Sequence, residues 1–168
     1  MATTYEPIAT YTAPSAVANY TFSSIPATYT DLVLVISAAT TSIADQDMQV
    51  GNGSVDTGAN YSRTWLQGNG TAASSGKGSN ETSTRVNTPN GGYLETTLGS
   101  SIQTITFLNY ANTTTYKTML TRTGGAAGGT SAIVHLWRST SAINTIKLSP
   151  SSNFITGSTF TLYGIKAA

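Results

Sequence analysis

The most apolar stretch of the chain is Asp31 to Thr40, DLVLVISAAT. Residues 32–36 of this stretch are apolar at both odd and even positions, and three of the five are β-branched. Such a run is too short for a stable helix, and β-branching favours the pleated backbone. The pattern therefore predicts a central β-strand with both of its faces covered by protein.

Shorter segments alternate apolar and polar residues with a period of two. Trp65 lies on the more apolar side of one such segment, and SAIVHLWR, at 131–138, is apolar on both faces. Further strands are predicted at 18–23, 47–50, 81–86, 93–97, 101–110, 116–122, 142–148 and 158–166. No segment repeats apolar residues at helical spacing between caps. The pattern predicts an all-β protein, an antiparallel, jelly-roll-like β-sandwich of about 8–10 short strands.

The N-terminal region differs from the rest of the chain. Pro7 and Pro14 each favour extended backbone in the residue before them, so residues 1–16 are predicted to form an extended arm. Residues 17–168 then make a single β-sandwich domain. The apolar residues of the arm, Tyr5, Ile8 and Tyr11, are predicted to contact another subunit.

Two segments are dominated by glycine and small polar residues. The first, at 68–80, reads GNGTAASSGKGSN and predicts a mobile loop or a segment that a partner orders. The second, at 124–129, predicts a flexible hairpin connection between two strands.

The chain has few charges. Only 9% of its residues are charged and the formal net charge is +1, so no basic surface is expected for nucleic acid. The absence of cysteine excludes disulfides and thiolate metal sites. Neither a secretory signal nor a membrane-spanning run is recognisable, which predicts a soluble product of the cytoplasm with no membrane partner. Threonine and serine make up almost a third of the chain, and this composition is typical of a structural protein rather than an enzyme.

Residues capable of chemistry are sparse. The single histidine, His135, shares a strand face with Ile133 and Trp137, so it is interpreted as a packing residue with a hydrogen-bonded neighbour. No GxSxG motif accompanies it. Asp45 and Asp47 have the spacing of calcium ligands, but the third oxygen ligand and the glycine of that motif are missing. We therefore predict no catalytic, cofactor-binding or metal-binding residues, no cofactor and no enzyme activity.

Aromatic residues allow one alternative. A tryptophan or tyrosine ring can stack on the apolar face of a sugar, and Tyr61 and Trp65 lie on one predicted strand face. They are the candidates for a glycan contact. The competing interpretation is that both rings belong to the core or to a subunit interface.

Several phrases of the sequence resemble a group of bacteriophage virion proteins that is frequent in phages of cyanobacteria and other aquatic bacteria. They are the N-terminal run MATTYEPIATYTAPSAVANYTFSSIPATYTDLVLVISA, the element NYANTTTYKTMLTR, the phrase HLWRSTSAINTIKLSP and the ending FITGSTFTLYGIKAA. The resemblance covers nearly the whole chain. Similar sequences look like capsid decoration, head-fibre or tail-fibre components, and they supply no catalytic residues.

This resemblance implies a location in the virion, after synthesis in the host cytoplasm. The first expectation is a capsid decoration or cement protein, a homo-oligomer with three as the favoured number, bound to the major capsid protein or other virion proteins. Tyr5, Ile8 and Tyr11 would then contact a subunit or the capsid. The alternative is a tail- or head-fibre module that recognises a host surface glycan through Tyr61 or Trp65. The compact size favours decoration, because the chain has neither heptads nor an internal repeat for a fibre shaft.

Overall fold

The computed structural model describes residues 4–88, 91–125 and 128–166 and confirms an all-β fold. The described residues contain no helix, so none forms a helix that could cross a membrane. They form thirteen strands: β1 (Tyr5–Thr12), β2 (Tyr20–Phe22), β3 (Asp31–Ser37), β4 (Gln46–Asn52), β5 (Ser54–Val55), β6 (Tyr61–Gly68), β7 (Ala73–Glu81), β8 (Thr84–Arg85), β9 (Ser101–Leu108), β10 (Lys117–Gly125), β11 (Gly129–Trp137), β12 (Thr145–Pro150) and β13 (Thr159–Ile165).

The strands build two antiparallel sheets. The large sheet has eight strands in the order β1-β13-β3-β9-β10-β11-β6-β7. The small sheet has the order β2-β12-β4-β5, and β8 also pairs with β4. The predicted sandwich is therefore confirmed. The strands that were not predicted are β1, β5 and β7, and only β5 is too short for a recognisable pattern. The predicted strand at 93–97 is wrong, since the described residues between β8 and β9 form no strand.

The core lies between the two sheets. Its members include Leu34 and Phe107 from the large sheet and Met48 and Leu148 from the small sheet, and all four are completely buried. Each of these strands exposes its alternate residues on the opposite face. One face of each sheet is therefore available for other contacts.

The strand β3 is interior to the large sheet, between β13 and β9, but the prediction that both of its faces are covered is wrong. Leu32, Leu34 and Ile36 are completely buried, whereas Val33 and Val35 are half-buried on the outer face. The reason is the architecture, because a strand in a two-layer sandwich has only one core side. The same holds for β11, where Ile133 and Trp137 are buried and Val134 is exposed.

The predicted N-terminal arm is, over its described part, a strand of the sandwich. Residues 5–12 form β1, which pairs with β13 along its whole length despite the irregularity near Pro7. Proline is tolerated there because β1 is an edge strand. Ile8 and Tyr11 pack against the chain's own core, and the Tyr11 ring stacks on Tyr20 with centroids 3.9 Å apart. Only Tyr5 of the three predicted contact residues is largely exposed.

The prediction of a loop at 68–80 is also wrong for most of that segment, because residues 73–81 form the edge strand β7. Its partner β6 supplies the packing that the small residues lack. A Cβ on Gly76 would lie 2.4 Å from Cζ2 of Trp65, so the indole lies directly on the glycine backbone. Aromatic residues opposite a glycine stabilise it in this way in other sheets. In the second glycine-rich segment Gly125 pairs with Gly129, and residues 126–127 lie outside the described residues.

Candidate interaction surface

Among the described residues, the outer face of the large sheet carries the largest group of exposed apolar side chains. On β9, β10 and β11 the odd-numbered residues face the core and are buried, and the even-numbered residues face outward. The exposed large apolar residues of these strands are Ile102, Leu108, Leu120 and Val134. Leu66 on β6 has the same orientation and is 65% exposed.

The strand register brings part of this set together. Leu120 lies directly opposite Val134, and Ala132 lies between Arg122 on one side and Leu66 on the other. We call Leu66, Leu120, Arg122, Ala132 and Val134 the outer patch. Its members line one shallow groove across β6, β10 and β11. Threonines flank the patch on both sides, and Lys77 on β7 lies beyond them, opposite Thr64.

Arg122 is the one charged member of the outer patch. Its guanidinium makes no ion pair or hydrogen bond with any described residue. The side chain borders three adjoining shallow grooves. The four strands β6, β9, β10 and β11 contain no aspartate or glutamate. Four of the carboxylates form ion pairs elsewhere: Glu6 with Lys166, Glu81 with Arg63, and Asp45 and Asp47 with Arg85. The outer patch is therefore apolar and weakly cationic.

The only histidine lies beneath this surface, on the core side of β11. His135 is completely buried, with Nδ1 2.7 Å from the Thr84 hydroxyl and Nε2 2.8 Å from the Thr121 hydroxyl. Burial, assisted by the nearby charge of Arg63, lowers its pKa from 6.5 to about 3. His135 is thus a neutral packing residue that joins the two sheets, as the sequence pattern indicates.

The aromatic residues of β6 have different environments. Tyr61 is completely buried, and its hydroxyl accepts a hydrogen bond from the Val50 amide at 3.0 Å and donates to a backbone carbonyl. Its ring therefore cannot reach a glycan. Trp65 is half-buried at the sheet edge, with the Arg63 guanidinium 4.9 Å from its ring centroid. Arg63 is fixed in turn by Glu81, with two contacts of 3.1 Å.

The calcium-like spacing of Asp45 and Asp47 has a structural explanation. Both carboxylates contact the Arg85 guanidinium, at 2.8 Å and 3.4 Å, so both are engaged in ion pairs. Within the part of the chain that the structure describes, no three acidic or histidine side chains gather in a way that could hold a metal ion.

No protein-family model matches the chain, and no curated protein matches it with significant similarity. The outer patch and the sequence resemblance are therefore the two observations that bear on function.

The outer patch was not recognisable as a site in the sequence. The strand at 131–138 is apolar on both faces, and this pattern predicts burial of both. A signal was nevertheless present, because a sandwich strand has one core face only. The surplus apolar residues of such strands have to lie outside, and their register then shows which of them meet.

Proposed function

We propose that this chain is a non-enzymatic structural protein of a bacteriophage particle, a capsid decoration or cement protein that stabilises the shell. The observation that carries the proposal is the outer face of the large sheet, where β6, β9, β10 and β11 display neighbouring aliphatic side chains and contain no carboxylate. Exposed apolar patches of this kind are typical of surfaces that bind other proteins. The sequence resemblance to virion proteins supports the same assignment.

The dimensions of the large sheet suit this role. Eight strands spaced ~4.8 Å apart and ~25 Å long give a face of roughly 900 Å². A standard protein interface takes about 800 Å² from each partner. The face is therefore large enough for stable attachment without help from loops.

The low charge predicts how attachment responds to salt. Apolar packing and hydrogen bonds at a closed interface are weakly screened, and a net charge of +1 offers little long-range attraction for salt to remove. Particles that lack this chain should open at a lower temperature than complete particles. Purified protein should restore their stability at low salt and at molar salt.

Two double variants make this test specific. Leu120→Ser with Val134→Ser removes apolar contact from the outer patch, whereas Ile43→Ser with Leu98→Ser removes exposed apolar side chains elsewhere. The first variant should fail to restore particle stability and the second should succeed. Particles that are equally stable with and without the chain would refute the cement function.

A receptor-binding module is the second candidate, and the half-exposed Trp65 beside Arg63 favours it. The Trp65 ring lies near a polar groove lined by Arg63, Asn80 and Glu81, which offers hydrogen-bonding groups to a sugar. Under this alternative Trp65→Ala would abolish adsorption to host cells and leave particle stability unchanged. The cement function predicts unchanged adsorption.

A homotrimer remains part of the proposal. Equilibrium sedimentation of the purified chain should give a mass three times 17.4 kDa. A monomeric mass at micromolar concentration would mean that the chain forms trimers only on the particle surface.

A further inference from the structure

We infer that the outer patch binds a protein surface that presents a carboxylate among apolar side chains, and that Arg122 forms the central ion pair. This inference depends on the proposed function, since it specifies the shell surface to which the chain attaches. It is carried by the position of Arg122, by its lack of an intramolecular partner and by the aliphatic character of its neighbours.

Arg122 is placed at the centre rather than the margin of the surface. It lies on β10, the fifth of the eight strands, between Thr104 on β9 and Ala132 on β11. The three shallow grooves that it borders extend toward Leu66, Leu120 and Thr130. A partner that covers the patch therefore buries the guanidinium. A buried guanidinium without a counter-charge is costly, so the partner has to supply an acceptor.

The strands around Arg122 do not supply the acceptor, since β6, β9, β10 and β11 contain no aspartate or glutamate. Lys77 on β7 lies near the same face, opposite Thr64, and likewise has no ion pair with a described residue. A second copy docked with its outer patch on this one would oppose Arg122 with the same four strands, which offer no carboxylate. Charge complementarity therefore favours a different protein with an acidic group over a second copy of this chain.

The neighbours of Arg122 distinguish a protein partner from an acidic glycan. Leu66, Leu120 and Val134 are aliphatic and exposed, and the outer patch contains no aromatic residue. Sugar sites use aromatic rings to stack on the pyranose, whereas aliphatic side chains around a central arginine are typical of protein interfaces. An arginine in such a centre also favours bidentate pairing with carboxylate.

The test measures binding of the purified chain to parent particles that lack it. Arg122→Glu should weaken binding by about 30-fold or more, because it replaces the central ion pair with a repulsion. Arg122→Leu should weaken it less, since the apolar contact is retained. Lys147→Glu is the matched control: Lys147 lies on the outer face of the small sheet, and the same charge change there should leave binding unaltered.

Each variant is first shown to be folded by circular dichroism and thermal unfolding. Arg122 is exposed, so its substitution should leave the fold intact. Particle carboxylates are then converted to neutral amides with a carbodiimide and ethanolamine. Amidated particles should bind wild-type protein and Arg122→Leu equally well. A persistent difference between these two proteins would refute the carboxylate partner.

The outcomes separate this inference from the proposed function. If wild-type protein does not bind the particles, the cement function fails. If wild-type protein binds and Arg122→Glu binds equally well, attachment stands and the role of Arg122 fails. Loss of self-association in Arg122→Glu, or binding of polygalacturonate by wild-type protein but not by Arg122→Glu, would overturn the inference in favour of a second copy or an acidic glycan.

Discussion

At the scale of single residues, His135 shows how the environment decides the role of a side chain. A neutral imidazole has one N–H donor and one acceptor nitrogen, and the hydroxyls of Thr84 and Thr121 satisfy both. The ring therefore contributes packing, one hydrogen bond to Thr84 of the small sheet and one to Thr121 on the neighbouring strand of the large sheet. Because it is enclosed and neutral, it has no access to a substrate proton.

The lowered pKa of His135 predicts a pH-dependent stability. The unfolded chain binds a proton below pH 6.5, but the folded chain resists protonation until about pH 3. The free energy of unfolding is therefore unaffected above pH 6.5 and falls as the pH decreases, by up to roughly 1.4 kcal/mol per pH unit from this group. Urea unfolding between pH 7 and pH 5.5 measures this slope above the range in which carboxylates titrate.

His135→Gln is the control for that slope. Glutamine keeps polar contacts to the two threonines but does not titrate, so the variant should have nearly constant stability between pH 7 and pH 5.5. A variant with the same slope as the wild-type protein would show that another group causes the pH dependence.

At the scale of elements, the existence of most long strands follows from the sequence, but the faces of the apolar strands do not. In β3 the run from Leu32 to Ile36 carries no polar residue that marks the solvent side. The pairing of β3 with β9 and β13 assigns Leu34 to the core and leaves Val35 on the outer face. The local sequence does not show against which face of β3 the second sheet packs.

A matched pair of substitutions tests the orientation of β3. Leu34→Ala creates a cavity in the core and should lower the free energy of unfolding by about 2–5 kcal/mol. Val35→Ala removes a half-buried side chain from the outer face and should cost about 1 kcal/mol or less. Equal losses in a urea titration would mean that both faces of β3 are covered.

The strand β7 illustrates a different limit of sequence reasoning. Its serine and glycine residues have little intrinsic preference for a sheet, and only the position of Trp65 over Gly76 explains why the segment is ordered as a strand. The contact joins residues on adjacent strands, so it becomes visible only when the register is known. Composition alone therefore indicates a loop.

The contact between Trp65 and Gly76 can be measured in a double-mutant cycle. Gly76→Ala should destabilise the protein by about 1–3 kcal/mol, because the new methyl group overlaps the indole. In a Trp65→Ala background the same substitution should cost little, which gives a coupling energy between the two sites. Ser75→Ala, on the exposed neighbouring residue, is the control and should be nearly neutral. Additive effects would show that the ring does not rest on the glycine.

At the scale of the whole molecule, the fold class is predictable because alternation, turn residues and the absence of helical spacing all indicate a β-sandwich. The interaction surface is not predictable in the same way. It consists of one residue from β6 and two each from β10 and β11, and the order of these strands in the sheet brings them together. Leu66 and Arg122 are far apart in sequence yet border the same groove.

If the outer face of the large sheet attaches this chain to the shell of a particle, the contact should be visible in the assembled particle. High-resolution electron microscopy of the parent particle tests it most directly. We expect density for the chain on the shell, with the outer patch covered by another protein. A carboxylate of that protein should lie within hydrogen-bond distance of the Arg122 guanidinium. A chain bound through another surface, with Leu120 and Val134 facing solvent, would contradict it.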